Sequence, residues 1–299
     1  MYDVIVIGGG PAGCTAALYC ARAGLDTLMI EKMSAGGQMC IAHSIENYPG
    51  FENGINGFDL GEKMKKTAEN QGAKIVFSEV EEVKLTGKIK EVTTKNGKLF
   101  SKTVVVATGA EHRKLGIDNE QQLVGKGICY CATCDGMFYK NKTVAVVGGG
   151  NSAVCDALYL SKICKKVYVI HRRDKLRATK VYQLQLKKAG NIEILWNSTV
   201  EKLLFDDKLK GMEIRGKDAY EFYCDGLFIS IGRRPETELF KNQLRLDDYG
   251  YIISDESTKT NIDGVFAVGD VRTKPLRQIV TATADGPVAA HFIEEYLSY

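Results

Sequence analysis

Two cysteines separated by two residues, Cys131 and Cys134, are the side chains of this chain best suited to redox chemistry. A dithiol at this spacing can close into a small disulfide ring. In a cytosolic chain, such a pair is more typical of redox chemistry than of a structural disulfide. Asp135 follows directly and supplies an acid beside a sulfur that loses or gains a proton. The three residues predict thiol–disulfide exchange.

A zinc site is the alternative interpretation of this pair, with Cys129 as a third thiolate. A closed zinc site needs four ligands, usually from a second C-x-x-C pair or a pair of histidines. The sequence shows no such second pair, so redox chemistry is favoured and no metal site is predicted.

The elements that must position the dithiol include a complete dinucleotide-binding pattern at residues 4–31. A buried strand, Val4–Ile7, leads into a glycine turn, an alanine-rich helix, and a second strand that ends in an acid. The glycines let the backbone approach a pyrophosphate at the helix N-terminus, and the acid accepts hydrogen bonds from a free ribose hydroxyl. The residues predicted to contact this dinucleotide are Gly8, Gly10, Pro11, Ala12, Gly13 and Glu31.

The same pattern recurs 140 residues further along, where Gly8 aligns with Gly148 and Glu31 with His171. The strand Val144–Val147 precedes the second turn and lies directly after the dithiol segment. The residues predicted to contact the second dinucleotide around this turn are Gly148, Gly150, Asn151, Ser152 and Ala153.

The two patterns differ at the position that reads the ribose. The first has a carboxylate, which suits the free 2′-hydroxyl of FAD and would repel a 2′-phosphate. The second has basic residues that can bind a 2′-phosphate, which suits NADPH; the alternative is a solvated helix start. The residues predicted to bind the phosphate are His171, Arg172, Arg173 and Arg177.

Each half also carries polar, alternating segments that predict a small antiparallel layer. In the first half these are Lys74–Ser78, Glu81–Leu85 and Glu91–Thr94, and in the second they are Ile192–Leu195, Glu201–Phe205 and Gly211–Arg215. Nothing after the first repeat corresponds to the late strand, Gly264–Asp270, and the terminal helix that follow the second. These two elements must therefore return to complete the first domain.

The predicted fold is therefore α/β, with two Rossmann-like dinucleotide-binding domains. Each domain has three layers (ββα), and the NADPH domain is inserted into the FAD domain. Residues 1–112 and 244–299 are predicted to form the FAD domain. Residues 113–243 are predicted to form the NADPH domain with the dithiol, entered and left near Arg113–Gly116 and Phe240–Leu244.

Composition excludes several classes of protein. The formal net charge of +3 is too small to argue for a nucleic-acid or anionic-membrane partner, and no apolar run approaches the length of a membrane span. The nine cysteines are scattered, so most are expected to be free thiols in a reducing compartment, which favours the cytoplasm.

Over its full length the sequence resembles the low-molecular-weight, bacterial-type thioredoxin reductases. The matching segments are GGGPAGCTAALYCARAG (8–24), GGQ (36–38), IENYPGF (45–51), ATGA (107–110), CATCDG (131–136), GGGNSA (148–153), HRRDKLRA (171–178) and GVFAVGDV (264–271). The resemblance implies a homodimer that passes electrons from NADPH through FAD and the dithiol to the disulfide of thioredoxin, with rotation of the NADPH domain between half-reactions.

The resemblance also implies residue roles. Cys134 is the thiol nearest the flavin, Cys131 attacks the thioredoxin disulfide, and Asp135 is the acid–base for the flavin-side thiolate. Further FAD contacts are implied at Gly37, Gln38, Asn47, Thr108, Gly109, Gly269, Asp270, Arg277, Gln278 and Ile279. His43 is expected to be a surface or loop residue.

Two other functions remain open. One is a flavin-dependent reductase of a different disulfide partner, and the other is a flavin-bound redox sensor with Cys131 and Cys134 as its switch. A relative that reduces ferredoxin lacks the dithiol, and one that takes electrons from ferredoxin lacks the arginine cluster, so the sequence argues against both.

Overall fold

Strands and helices alternate along most of the chain. The structure, a computed structural model, describes residues 1–42 and 44–298. His43 lies outside the described residues. The strands are β1 (Tyr2–Ile7), β2 (Thr27–Glu31), β3 (Lys74–Phe77), β4 (Val80–Lys84), β5 (Lys90–Thr94), β6 (Gly97–Val106), β7 (Ala110–His112), β8 (Ile128–Cys129), β9 (Thr143–Val147), β10 (Lys166–His171), β11 (Ile192–Trp196), β12 (Thr199–Phe205), β13 (Leu209–Arg215), β14 (Ala219–Tyr223), β15 (Gly226–Ile229), β16 (Arg233–Pro235) and β17 (Val265–Ala267).

The α-helices follow the same alternation. They are α1 (Pro11–Arg22), α2 (Gly57–Asn70), α3 (Ala132–Asp135), α4 (Asn151–Ser161), α5 (Lys180–Lys188) and α6 (Ile279–Leu297). Short 3-10 helices cover Gly37–Ile41, Gln121–Leu123, Gly136–Tyr139 and Gly269–Val271. None of the helices in residues 1–42 and 44–298 is long and apolar enough to cross a membrane.

The chain divides into two units. Unit 1 is Met1–Glu111 together with the segment from Arg234 onward, and unit 2 is His112–Arg233 between them. The sequence placed the two crossings after residues 112 and 243, and this division places them after Glu111 and Arg233. Phe240 and Leu244, which the sequence placed in a linker, are buried in the core of unit 1.

Unit 1 is built on a seven-stranded sheet with the order β3-β2-β1-β6-β5-β4 and with β17 paired to β6. The strands β1, β2, β3, β6 and β17 run parallel, whereas β4 and β5 continue the sheet in antiparallel pairs. Assigning Lys74–Ser78 to a separate antiparallel layer was wrong, because this segment returns from α2 as the parallel strand β3. A helix between two strands returns the chain parallel to the first strand.

Unit 2 has a parallel five-stranded sheet with the order β11-β10-β9-β15-β8 and a separate antiparallel sheet of β12, β13 and β14. One apolar cluster joins the parallel sheet to α4 and α5, and another joins it to the antiparallel sheet, which gives the three predicted layers. The segment Ile192–Leu195 is again a correction: it follows α5 and pairs parallel with β10. The α/β fold class with two Rossmann-like units is confirmed.

Candidate functional site

The first glycine turn joins β1 to α1 at the carboxyl edge of the sheet of unit 1. Gly8 has φ +105°, and a Cβ added there would lie 2.5 Å from the carbonyl oxygen of Ala107. A Cβ on Gly13 would lie 1.9 Å from the carbonyl oxygen of Gly8. Both positions therefore require glycine, because strand, turn and helix are in backbone contact.

The start of α1 faces open space. A Cβ built on Gly10 meets no atom within 4 Å among the described residues, and none of those residues caps the helix with a side chain. Pro11 is the first helical residue and Ala12 follows it, so free N–H groups of the first turn can face an anion. This cradle fits a pyrophosphate.

Glu31 is fixed at the end of β2 beside this turn. Its Oε2 accepts a hydrogen bond of 2.6 Å from the backbone N–H of Gly9, and its Oε1 accepts one of 3.1 Å from Met33. The carboxylate therefore has a defined position next to the glycine turn, as a residue that reads a ribose hydroxyl requires.

Two distant segments reach the same edge of unit 1. A Cβ on Gly37 would lie 3.3 Å from the Cα of Gly10, and one on Gly269 would lie 2.7 Å from the Cβ of Ala12. The 3-10 helices that begin at Gly37 and Gly269 are thus packed against the first glycine turn. Asp270 follows Gly269 and is half-buried.

The structure also joins Asn47 to Gln278, which are 231 residues apart in sequence. The Nδ2 of Asn47 donates a hydrogen bond of 3.1 Å to the Oε1 of Gln278. Gln278 caps α6, so that Ile279 is the first residue of the helix. Gln38 is exposed in the Gly37–Ile41 segment.

Other predicted cofactor residues use their polar groups within the protein. The hydroxyl of Thr108 donates to the carbonyl of Glu236 at 2.7 Å, and the carbonyl of Gly109 accepts from the N–H of the same residue at 3.0 Å. The guanidinium of Arg277 lies 4.0 Å from the ring centroid of Tyr251 and donates to three loop carbonyls, including that of Asp270. In the structure, Arg277 holds the loop after β17 in place.

The second glycine turn, in unit 2, repeats the first in detail. Gly148 has φ +151°, and a Cβ there would lie 2.6 Å from the Cβ of Ala153. A Cβ on Gly150 meets no atom within 4 Å in the described part of the chain. Asn151 and Ser152 are exposed at the start of α4, and the Oδ1 of Asn151 accepts a hydrogen bond of 2.9 Å from Thr179.

His171 lies where Glu31 lies in unit 1. A Cβ on Gly149 would be 2.1 Å from the His171 ring, just as one on Gly9 would be 3.0 Å from Glu31. The ring is buried, and its Nε2 is 3.0 Å from the carbonyl oxygen of Lys175. His171 therefore shapes the loop that carries the arginines and has little surface left for a ligand.

The arginines of that loop are exposed. Arg172, Arg173 and Arg177 all lie at the surface, and among the described residues no carboxylate forms an ion pair with any of them. The N–H of Arg177 donates to the carbonyl of Gly149 at 2.7 Å, which returns the loop to the glycine turn. Three guanidinium groups are thus available to an anion beside this turn.

The dithiol follows β8 at the carboxyl edge of the same parallel sheet. Cys131 and Cys134 form a disulfide with their Cα atoms 5.3 Å apart, across the start of α3. The Sγ of Cys131 accepts a hydrogen bond of 3.2 Å from the N–H of Cys134 and is 3.4 Å from the hydroxyl of Thr133. Cys131 is half-buried and Cys134 is exposed. This difference does not by itself decide which sulfur attacks the partner disulfide and which lies nearest the flavin.

Asp135 ends α3 and is half-buried under the dithiol segment. Burial raises the pKa of Asp135 to about 6, and a hydrogen bond from the Cys129 thiol opposes that rise. A carboxyl group with a pKa near neutrality can both donate and accept a proton under ordinary conditions. Within the described residues, no group of three or more His, Cys, Asp or Glu side chains could hold a metal ion.

Comparison with known proteins identifies the family. The family model described as pyridine nucleotide-disulphide oxidoreductase matches residues 2–286. A thioredoxin reductase of Listeria monocytogenes is 47% identical over 301 residues, which covers 99% of this chain and 94% of the relative. The crystal structure of thioredoxin reductase from Streptococcus pyogenes is 40% identical, has a TM-score of 0.95, and is matched over 100% of this chain and 98% of that one.

The chain belongs to the thioredoxin reductases, within the pyridine nucleotide-disulphide oxidoreductases. A thioredoxin reductase of Giardia duodenalis, 32% identical with a TM-score of 0.94 and full coverage of this chain, has the same fold. As a member of this family, the protein is a flavoprotein oxidoreductase that uses FAD and NADPH. The two glycine turns each have an open cradle, and each cradle fits one such dinucleotide.

One buried ionic cluster beside the first site was not apparent from the sequence. Asp285, in α6, accepts hydrogen bonds from Arg272 at 2.8 and 2.9 Å, from Lys274 at 2.9 Å and from the N–H of Gly269 at 2.7 Å. Burial by itself would raise the pKa of Asp285, but these donors hold the pKa below its ordinary value. The cluster fixes the backbone turn that precedes Asp270.

We expect Asp285→Asn to destabilise the protein strongly, because it leaves two buried cations without their carboxylate. Breaking a buried pair by removing one partner costs about 3–5 kcal/mol, which lowers the melting temperature by roughly 10 °C. Differential scanning calorimetry measures the change. Glu238→Gln, which removes an exposed partner of Lys241, is the control, and a shift of equal size there would contradict the assigned role.

Proposed function

We propose that this protein is a thioredoxin-disulfide reductase. Electrons pass from NADPH through FAD and the Cys131–Cys134 disulfide to the disulfide of oxidised thioredoxin. The observation that carries this proposal is the position of the dithiol: it follows β8 at the same carboxyl edge of the sheet as a second dinucleotide turn with unpaired arginines.

The two cofactors are assigned to the two turns. The turn with Glu31 holds FAD, with Gly37, Asn47, Asp270 and Gln278 around it. The turn with Arg172, Arg173 and Arg177 holds NADPH, because guanidinium groups bind a 2′-phosphate that a carboxylate would repel. When bound, NADPH supplies a hydride and FAD converts it into electrons for a disulfide.

The dithiol then reduces the partner by two exchanges. The thiolate of Cys131 attacks one sulfur of the partner disulfide, which forms a mixed disulfide and releases a partner thiolate. The thiolate of Cys134 attacks the Sγ of Cys131, which closes the Cys131–Cys134 disulfide and releases the second partner thiolate. The two protons lost by the dithiol are gained by the partner, and Asp135 exchanges protons with the sulfurs during these steps.

Two apolar side chains next to the dithiol support a protein substrate. Met137 and Phe138, in the 3-10 helix after α3, are 53% and 45% exposed. Exposed large apolar groups beside a reactive centre are typical of protein-binding surfaces. A partner that docks there brings its disulfide to the dithiol segment.

We further propose that the protein is a homodimer in a reducing, cytoplasmic compartment. Resemblance to the family supports the dimer, and seven free cysteines beside one disulfide support the compartment. Sedimentation equilibrium of the purified protein tests the dimer, and a monomer at micromolar concentration would contradict it.

Unit 2 is proposed to change orientation relative to unit 1 between half-reactions. The dithiol must be open to a protein partner in one half-reaction, and the nucleotide held by the arginines must reach the flavin in the other. We expect a disulfide engineered to lock the two units to permit one half-reaction and block the other, measured separately by stopped flow. Wild-type rates for both would refute the rotation.

The experiment that tests the function is NADPH-dependent reduction of a panel of thioredoxins, with a small disulfide dye in parallel. We expect the purified protein to release FAD on denaturation and to reduce at least one thioredoxin catalytically. Reduction of the dye with no thioredoxin accepted would favour a different disulfide partner. NADPH oxidation without turnover would favour a redox sensor.

A further inference from the structure

The loop that carries the arginines of unit 2 is held at its start by a turn that is distant in sequence. This turn, Trp196–Ser198, leads from the end of β11 to the start of β12. The N–H of Ser198 donates a hydrogen bond of 3.0 Å to the carbonyl of His171. The N–H of Asn197 donates one of 3.2 Å to the carbonyl of Arg173. The two hydrogen bonds therefore fix the loop backbone on either side of its first arginine.

The turn has a defined conformation of its own. The hydroxyl of Ser198 donates a hydrogen bond of 2.8 Å to the carbonyl of Trp196, and Ser198 is 5% exposed. The indole of Trp196 meets the ring of His171 edge-on, with the ring centroids 6.1 Å apart. Asn197 has φ +53°, in the left-handed region that asparagine adopts more readily than most residues. The side chains of the turn add no charge to the site.

Two further contacts fix the rest of the arginine loop. The Nε2 of His171 lies 3.0 Å from the carbonyl oxygen of Lys175, which can only accept, so Nε2 is the donor. The N–H of Arg177 donates to the carbonyl of Gly149 at 2.7 Å. The backbone is thus held at every second residue from His171 to Arg177, whereas the guanidinium groups are exposed and, in the described part of the chain, have no carboxylate partner.

A fixed loop backbone favours phosphate recognition. A long arginine side chain loses rotamer freedom when it binds a phosphate, and a loop that also had to order its backbone would lose more. Ordering the backbone before binding removes that part of the entropy cost, so the same guanidinium contacts give tighter binding. Only a ligand that uses these contacts gains, so the nucleotide with a 2′-phosphate should be favoured over the one without it.

We propose that the turn Trp196–Ser198 is a specificity-determining segment for the second nucleotide: it positions the arginine loop for the 2′-phosphate and so contributes to the preference for NADPH over NADH. This inference rests on the proposed assignment of NADPH to the second glycine turn and deepens it. The three residues of the turn are positioning residues, because they act through Arg172 and Arg173.

The test changes the backbone of the turn at Asn197. A β-branched residue does not readily adopt a left-handed φ, so Asn197→Val should rearrange the turn and move the N–H that donates to Arg173. Glycine adopts this φ freely, so Asn197→Gly should keep the hydrogen bond. Calorimetric titration of the FAD-loaded, oxidised protein with NADP⁺ and with NAD⁺ gives the ratio of their dissociation constants without any reduction of the flavin.

We expect Asn197→Val to lower the preference for NADP⁺ about tenfold, which corresponds to the loss of about one arginine contact. Asn197→Gly should retain the wild-type preference. Asn141→Val is the matched control, because Asn141 is exposed two residues before β9, has φ +60°, and donates its N–H to the carbonyl of Ile163 at 3.0 Å. This variant introduces the same backbone strain away from the arginine loop and should retain the preference.

The turn should have no further effect once the arginines are gone. In a protein that already carries Arg172→Ala and Arg173→Ala, Asn197→Val should leave the ratio for NADP⁺ and NAD⁺ unchanged, since changes that act through the same group are not additive. A further fall there, or an undiminished preference in Asn197→Val alone, would overturn the proposal.

If Asn197→Val does not fold, the wild-type protein provides the test. Coupling between two sites is reciprocal, so a turn that favours binding of the 2′-phosphate must itself be stabilised by that phosphate. Hydrogen–deuterium exchange in residues 196–198 should be slower with saturating NADP⁺ than with saturating NAD⁺, and exchange in residues 140–142 should be the same with both. Equal exchange in residues 196–198 overturns the proposal.

The wild-type ratio separates this inference from the proposed function. A wild-type protein that binds NADP⁺ no more tightly than NAD⁺ would refute the cofactor assignment, and the role of the turn with it. A clear wild-type preference that Asn197→Val retains would refute the role of the turn alone.

Discussion

Replacing either Cys131 or Cys134 with serine is expected to lower thioredoxin reduction by about a thousandfold or more, because the two exchanges together need both sulfurs. Reduction of the bound flavin by NADPH should stay near the wild-type rate, since the dithiol acts after it. Steady-state assays with thioredoxin and stopped-flow absorbance of the flavin measure the two quantities. The effect is the largest expected here, because no other disulfide lies in the described chain.

The two variants should differ in how they capture a partner. Cys134→Ser keeps the thiol proposed as the nucleophile, so it should form a stable mixed disulfide with thioredoxin, whereas Cys131→Ser should not. Mass spectrometry under non-reducing conditions detects the adduct. Cys155→Ser removes a half-buried free thiol of the same unit and is the control. Capture by Cys131→Ser alone would exchange the two roles.

Replacing Arg172 and Arg173 together with alanine is expected to remove most of the preference for NADPH over NADH. A charge-assisted hydrogen bond contributes about 1.5–3 kcal/mol, so each lost contact should weaken NADPH binding roughly tenfold to a hundredfold. NADH has no 2′-phosphate and should bind with nearly unchanged affinity. Calorimetric titration of both nucleotides gives the ratio of the dissociation constants.

Arg215→Ala is the control for this pair, because it removes an exposed arginine of the same unit that lies in β13 beside Glu201. The NADPH/NADH ratio should be unchanged in that variant. A double variant of Arg172 and Arg173 that keeps the wild-type ratio would show that the 2′-phosphate lies elsewhere.

Much of the fold could be predicted because each glycine turn needs glycine at fixed positions, where the backbone has a positive φ or contacts a neighbouring strand. Gly8 and Gly148 both have a positive φ, and each lies in a turn between a strand and a helix. This order of strand, glycine turn and helix identifies a dinucleotide-binding unit within about 30 residues. The internal repeat then predicted two such units. The strands β3 and β11 were assigned wrongly, because a short polar segment does not reveal whether its partner is a parallel or an antiparallel strand.

The sequence by itself determined which side chains are the candidates for the site: the dithiol with Asp135, the carboxylate at Glu31 and the arginines after β10 are adjacent to local patterns that predict their roles. Only the tertiary structure decided which distant residues support them. Asp285 contacts Gly269, Asn47 contacts Gln278, and Tyr139 contacts Cys129, because strands and helices bring together segments that no local pattern relates. Local backbone geometry is encoded in neighbouring residues, whereas the hydrogen bonds that fix a carboxylate or a turn depend on how the whole unit packs.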